Sequence, residues 1–220
     1  MGTAALALLH ALVLAYWVGG DLGAFYSSYL LGDARLPLER RLAAAKVLAA
    51  VDMAPRSAMI LALPTGLTLA TARGWIAITP LALAALWVGS ALWLGVIWAL
   101  HVQGDGGGGP LKQADFVIRW SVLTAVLVAA LGVLTGRMPA PQFLGLKLLL
   151  LSAAMATGLA IRAATRDLRP ALAEIAREGE SAAADATVSR ALRRARPLVI
   201  LIWLIVLAAA FVGFWKPVWS

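Results

Sequence analysis

The chain has 220 residues, 62% of them hydrophobic, a formal net charge of +8 and no cysteine, with a mean hydropathy of +0.86. A soluble domain is about 45–50% apolar, and a chain of this length has too little interior to hide the excess, so lipid must take it. The absence of cysteine excludes thiolate metal sites, iron–sulfur clusters, covalently attached c-type haem and disulfides; the basic residues lie between apolar runs, as in loops facing anionic lipid, and imply no nucleic-acid partner.

In chain order, six apolar runs reach the roughly 20 residues needed to cross about 30 Å of hydrocarbon: residues 3–31, 47–72, 76–102, 117–136, 141–164 and 197–215. They predict an all-α polytopic bundle, one transmembrane domain over residues 1–220. The first run has no Lys or Arg before it and continues past a normal signal-peptide core, so it reads as a mature first helix. The loops after the first, third and fifth runs hold Arg35, Arg40, Arg41, Lys46, Lys112, Arg162, Arg166, Arg169, Arg177, Arg190, Arg193, Arg194 and Arg196. Those on the other side hold only Arg73, Arg137 and Lys216. The positive-inside rule then expects a cytoplasmic (inner) membrane with both termini outside.

Two cytoplasmic connections stand out. Residues 104–110, GDGGGGP, read as a flexible hinge and not a phosphate loop, since no Gly-Lys-Ser/Thr follows. Residues 167–194 mix Arg, Glu and Ala and predict one amphipathic cytoplasmic helix. A weak internal echo relates Arg56–Trp75 to Arg119–Met138: each segment opens on Arg at the cytoplasmic side and closes on a glycine-containing outer turn.

Ionisable residues inside spans cost about 2.5–3.5 kcal/mol each on insertion scales, so each is a candidate site. Depth along the helices puts His10 and Lys147 together in an outer layer, each about 10 Å in. Asp21, Asp52 and Arg56 fall in the cytoplasmic half; Asp52 and Arg56 are four residues apart and can pair, and Asp21 could complete a cluster. Such a cluster serves either as an ion pair that fixes helix packing or as a site for a substrate, a proton or a propionate. The stripe His10, Leu14, Trp17, Asp21, Ala24 and Ser28 should face the bundle. His10 is either an iron, copper or zinc ligand or a hydrogen-bonded core histidine. His101, the second of two histidines, lies a membrane thickness away and reads as an interfacial anchor, which argues against a bis-histidine cytochrome within one chain. Trp93, Trp98, Trp215 and Trp219 are expected mainly in the interfacial belt, and the scattered Met53, Met59 and Met155 in packing.

The opening LLHALVLAYWVGG, followed by FYSSYLL and ERRLAAA, resembles the start of HemJ-type protoporphyrinogen oxidases. GRMPAPQFLGLKLLLL resembles that family's passage into a lysine-bearing helix, and WKPVW its Lys-Pro ending. CopD-type copper-resistance membrane proteins are the neighbouring resemblance. It covers both ends of the chain better than the middle, where helix three and the glycine hinge look like an insertion. The resemblance implies haem b, with His10 at the iron, Lys147 as the helix lysine and candidate catalytic group, Trp17 beside the cofactor, and Arg40 and Arg41 in the Glu-Arg-Arg run. It departs where the family carries a histidine soon after the lysine, for LSAAMATGLA has none, and where Asp21 replaces an apolar residue.

Three functions follow as expectations. One is a haem-binding oxidoreductase acting in porphyrin oxidation, with a quinone or other membrane partner as electron acceptor. The second is copper or small-solute handling through His10, Met53, Met59 and Met155. The third is a non-catalytic subunit or assembly factor whose buried charges fix packing; a homo-oligomer is compatible with each.

Overall fold

A computed structural model describes residues 2–104, 109–179 and 181–217. Among them the chain forms helices and no strands: α1 (Gly2–Gly32), α2 (Leu38–Val51), α3 (Met53–Ala72), α4 (Pro80–Gln103), α5 (Gly109–Leu134), α6 (Gln142–Ala164), α7 (Leu168–Glu178) and α8 (Ala182–Trp215). Six helical stretches are long and apolar enough to cross a membrane, and the protein is an all-α, multi-pass membrane protein.

Packing closes the spans into a ring: α1 lies against α3, α3 against α4, α4 against α5, α5 against α6, α6 against α8, and α8 against α1. Every span contributes to the core, with Trp17, Met59, Trp93, Leu123, Met155 and Val206 among the buried residues. Lipid provides no hydrophobic drive between spans, so close approach at small residues must hold them. Gly20 is where α1 meets α3: a Cβ added there would lie 2.6 Å from Ala54 Cβ and 2.7 Å from Pro55 Cδ. α4 turns a broad apolar face outward, with Leu81, Val88, Leu92, Trp98 and Val102 exposed.

The start of α1 and the end of α8 lie at one end of the bundle, where the Lys216 ammonium sits 5.2 Å from the Trp75 ring centre after α3 and Trp75 meets Phe143 at the start of α6. The opposite end carries the arginine-rich connections. The two echoed segments close alike, with Gly74 and Gly136 both at φ +70°, a backbone state that suits glycine at a helix C-terminus.

Several boundaries differ from expectation, each for a local reason. The second run begins at Leu38, not residue 47, and breaks at Asp52, because Pro55 has no N–H for the Val51 carbonyl. α4 starts at Pro80, not residue 76, where Thr79 caps the helix by accepting from Ala82 N at 3.3 Å. α5 begins at Gly109, eight residues before the expected 117; Gly104 ends α4 at φ 58°, and residues 105–108 of the expected hinge lie outside the described residues, as does Trp219. The single charged helix expected over 167–194 is two. Gly179 at φ 87° stops α7, Ser181 caps a new start by accepting from Ala184 N, and α8 then runs unbroken for 34 residues into the last span.

A second core forms at the arginine-rich end. Ala44 of α2, Leu168, Ala171 and Ile175 of α7, and Val188 and Leu192 of α8 pack together beneath Leu31. Arg41 fastens it: its side chain is 2% exposed, pairs with Asp185 and donates from Nε to the Leu31 carbonyl at 3.2 Å. The apolar face of α7 is therefore turned onto protein, leaving Arg177 and Glu178 outside.

Candidate functional site

The intramembrane polar residues occupy two layers. In the layer nearer the termini, α1 and α3 run antiparallel and bring His10 onto Thr65, with 2.8 Å between Nδ1 and Oγ1. Thr65 also donates to the Leu61 carbonyl, so its hydroxyl proton is committed and the imidazole N–H is the donor to it. Nδ1 then carries the proton, and Nε2 is the nitrogen left for any further bond. The ring lies over Gly66, where an added Cβ would sit 3.2 Å from its Cε1. Lys147 of α6 is near enough to act on His10 through its charge, and its ammonium lies against Gly213 of α8.

The deeper layer holds more charge. Asp52 pairs with Arg56 across one helical turn, both partly exposed. Asp21 stays out of this pair. It is 8% exposed, makes no ion pair among the described residues, and has the indoles of Trp17 and Trp203 and the carboxylate of Asp52 beside it. The expected three-member cluster is thus one ion pair plus a separate carboxyl whose Oδ2 has no partner among the described residues.

On the other side of that layer lies a network that sequence reading did not single out. Asp115 of α5 is 1% exposed. It accepts from Trp93 Nε1 at 3.0 Å, Arg119 Nε at 2.9 Å and Arg162 Nη1 at 2.7 Å. Arg119 also lies 5.5 Å from the centre of the Trp93 ring and within electrostatic reach of Arg56. One carboxylate thus serves two guanidinium groups. Trp93, expected in the interfacial belt, is instead a buried strut between α4 and α5; Trp98 and Trp215 are exposed at the surface, and His101 stacks edge-on against Trp98. The signal for the network was legible: Asp115 and Arg119 repeat the four-residue spacing of Asp52 and Arg56. Starting the span at residue 117 hid it by leaving Asp115 in a loop.

Beside the network, a cavity of about 450 Å³ opens beneath α4, walled by α3, α4, α5 and α6. Its lining is apolar apart from Ser90 and Trp93, and includes Met59, Ile118, Leu151 and Met155. Trp93 belongs to both features, one face in the cavity and its N–H on Asp115. No residue of α1 or α8 reaches this cavity, so His10, Lys147 and Trp17 are not in it. Met59 and Met155 share its wall, Met53 lies in the groove between α1 and α3, and His10 lies a layer beyond; the candidate copper ligands are not brought to one point. Among the described residues no group of three His, Cys, Asp or Glu side chains could hold a metal ion. Of the Glu-Arg-Arg run, Arg41 is the buried clasp described above and Arg40 is exposed.

Comparison with protein-family models, with curated proteins and with solved structures returns no match for this chain.

Proposed function

We propose that this membrane protein binds an acidic, largely apolar molecule taken up from the lipid phase beneath α4, with the porphyrin class expected from the HemJ/CopD resemblance as the first candidate. The observation that carries the reading is an apolar cavity separated by a single indole from a carboxylate with two guanidinium partners. About 450 Å³ lies within the usual range of small-molecule sites. Arg162 is the group suited to an incoming carboxylate. Its side chain is 44% exposed, and a guanidinium has five N–H donors, of which Asp115 engages Nη1. The positive-inside rule sets this arginine-rich end on the cytoplasmic side and the termini outside.

A haem ligated by His10 does not fit that cavity, because the imidazole lies across α3 from it and is packed on Gly66. No iron-dependent step is therefore derived.

The test is titration of the detergent-purified protein with metal-free protoporphyrin, read by quenching of tryptophan fluorescence. Saturable binding is expected, weakened about tenfold or more in Arg162→Gln, the loss of one charge-assisted hydrogen bond of about 1.5–3 kcal/mol. Equal binding by parent and variant would sink the reading. An absorption spectrum of the purified parent separates the haem alternative: a Soret band present there and lost in His10→Ala would return the iron to helix one.

A further inference from the structure

Asp21 is an intramembrane carboxyl that pairs with no cation among the described residues. It lies eleven residues, about 16 Å at 1.5 Å per residue, from the arginine-rich end of α1. Its Oδ2 is buried without a hydrogen-bond partner, and so are Trp203 Nε1 of α8 and Ser57 Oγ of α3. The contact of Gly20 with Ala54 and Pro55 sets the register of α1 on α3 and puts Ser57 about one helical turn from the level of Asp21. The stacking of Phe25 on Trp203 does the same for α8.

The charged groups around it are accounted for on each packed element. On α1 the nearest is His10, three turns away and bonded to Thr65. Between α2 and α3 stand Asp52 and Arg56, already paired. On α8 it is Arg196, held by the Ser28 carbonyl at 2.8 Å and by the Tyr29 ring. On α6 it is Lys147, in the other layer. The charge that acts on Asp21 is thus a second carboxylate. An ionised carboxylate buried at this depth beside a like charge, with no counter-ion, is among the costliest groups a span can carry.

A neutral carboxylic acid has none of that cost but needs an acceptor for its O–H. Two candidate acceptors lie on the neighbouring α2–α3 segment. The Val51 carbonyl, deprived of its helical donor by Pro55, lies 3.2 Å from the position a Gly20 Cβ would take, and Ser57 Oγ has no partner. The indoles of Trp17 and Trp203 lie beside the carboxyl, and the Trp203 N–H, which has no partner of its own, is a donor at hand for the carboxyl's other oxygen. A groove bordered by Gly19, Gly20, Val51 and Met53 opens at the residues next to Asp21 in the chain, and the Asp52–Arg56 pair is partly exposed.

We propose that Asp21 is a proton-binding site within the membrane, taking up and releasing one proton. It is distinct from the ligand cavity, and its test does not depend on that reading.

The experiment treats the full-length protein in detergent with a hydrophobic carbodiimide, which adds to protonated carboxyls, and maps the adduct by peptide mass. Infrared spectra of the parent and of Asp21→Asn are compared in parallel for a carboxylic-acid C=O band. The expected result is an adduct on Asp21 that declines about tenfold per pH unit beyond its midpoint, is indifferent to added sodium, and persists in Asp52→Asn. The C=O band is expected in the parent and absent from Asp21→Asn. If the variant fails to fold, the adduct map and pH profile of the parent still decide. Protection by sodium would make the site a metal-cation site and overturn the proposal. Absence of both the adduct and the C=O band from the parent would overturn it as well.

Discussion

Asp115→Ala is the substitution that most directly tests what holds the centre of the bundle. It removes the acceptor of three hydrogen bonds, from Trp93, Arg119 and Arg162, and so unfastens α5 from both α4 and α6. Arg119, 7% exposed, is left as a buried charge without its counter-ion, a loss of about 3–5 kcal/mol for one partner of a buried pair. The orphaned Trp93 N–H adds about 1 kcal/mol. Arg162→Ala, at a side chain 44% exposed, should cost no more than about 1 kcal/mol. Removing both buried charges in Asp115→Leu/Arg119→Met should recover most of the loss, since an apolar pair of similar volume is often neutral. The assay is reversible unfolding in mixed micelles with rising denaturing detergent, followed by tryptophan fluorescence. Hydrogen bonds between transmembrane helices average about 0.6 kcal/mol, so a loss above about 2 kcal/mol is diagnostic. The reasoning is refuted if Asp115→Ala is no worse than Arg162→Ala, or if the double variant is as unstable as the single.

Three further outcomes follow from the packing. Gly20→Ala should destabilise by about 1–3 kcal/mol in the same titration, because its Cβ meets Ala54 and the Pro55 ring. Gly213→Ala should stay within about 0.5 kcal/mol, since its Cβ meets the swinging end of Lys147; equal effects would contradict this account of the two glycines. Ile175→Ala, at a side chain 1% exposed, should cost about 2–5 kcal/mol locally. Hydrogen exchange should rise in α7 and the first half of α8 and not in the spans; uniform loosening would show that the second core is not separate. Thr65→Val should lose about 1 kcal/mol and free the His10 ring, seen as a shifted imidazole resonance, whereas Thr65→Ser, which keeps the hydroxyl, should restore both.

The sequence by itself determined the class of the fold, because the cost of exposing peptide groups to hydrocarbon makes any 20-residue apolar run a helix whatever its neighbours. Pairs on one helix were equally legible. Asp52 and Arg56 four residues apart meet as expected, and the depth argument put His10 and Lys147 at one level because rise per residue is fixed. Signals acting within a few residues were present but underweighted, as Pro55, Gly179 and Ser181 show at the breaks they impose. Only the tertiary structure decided which helices are neighbours. That turned Trp93 from an interfacial anchor into a buried strut, set Asp21 apart from Arg56, joined Asp115 to Arg162 across 47 residues, and placed the cavity away from His10. Between spans the solvent is as apolar as the side chains, so an apolar pattern reveals that a residue is in the membrane but not whether lipid or protein lies beside it. That choice rests on small-residue seams and a few long-range polar contacts, which leave no period in the chain.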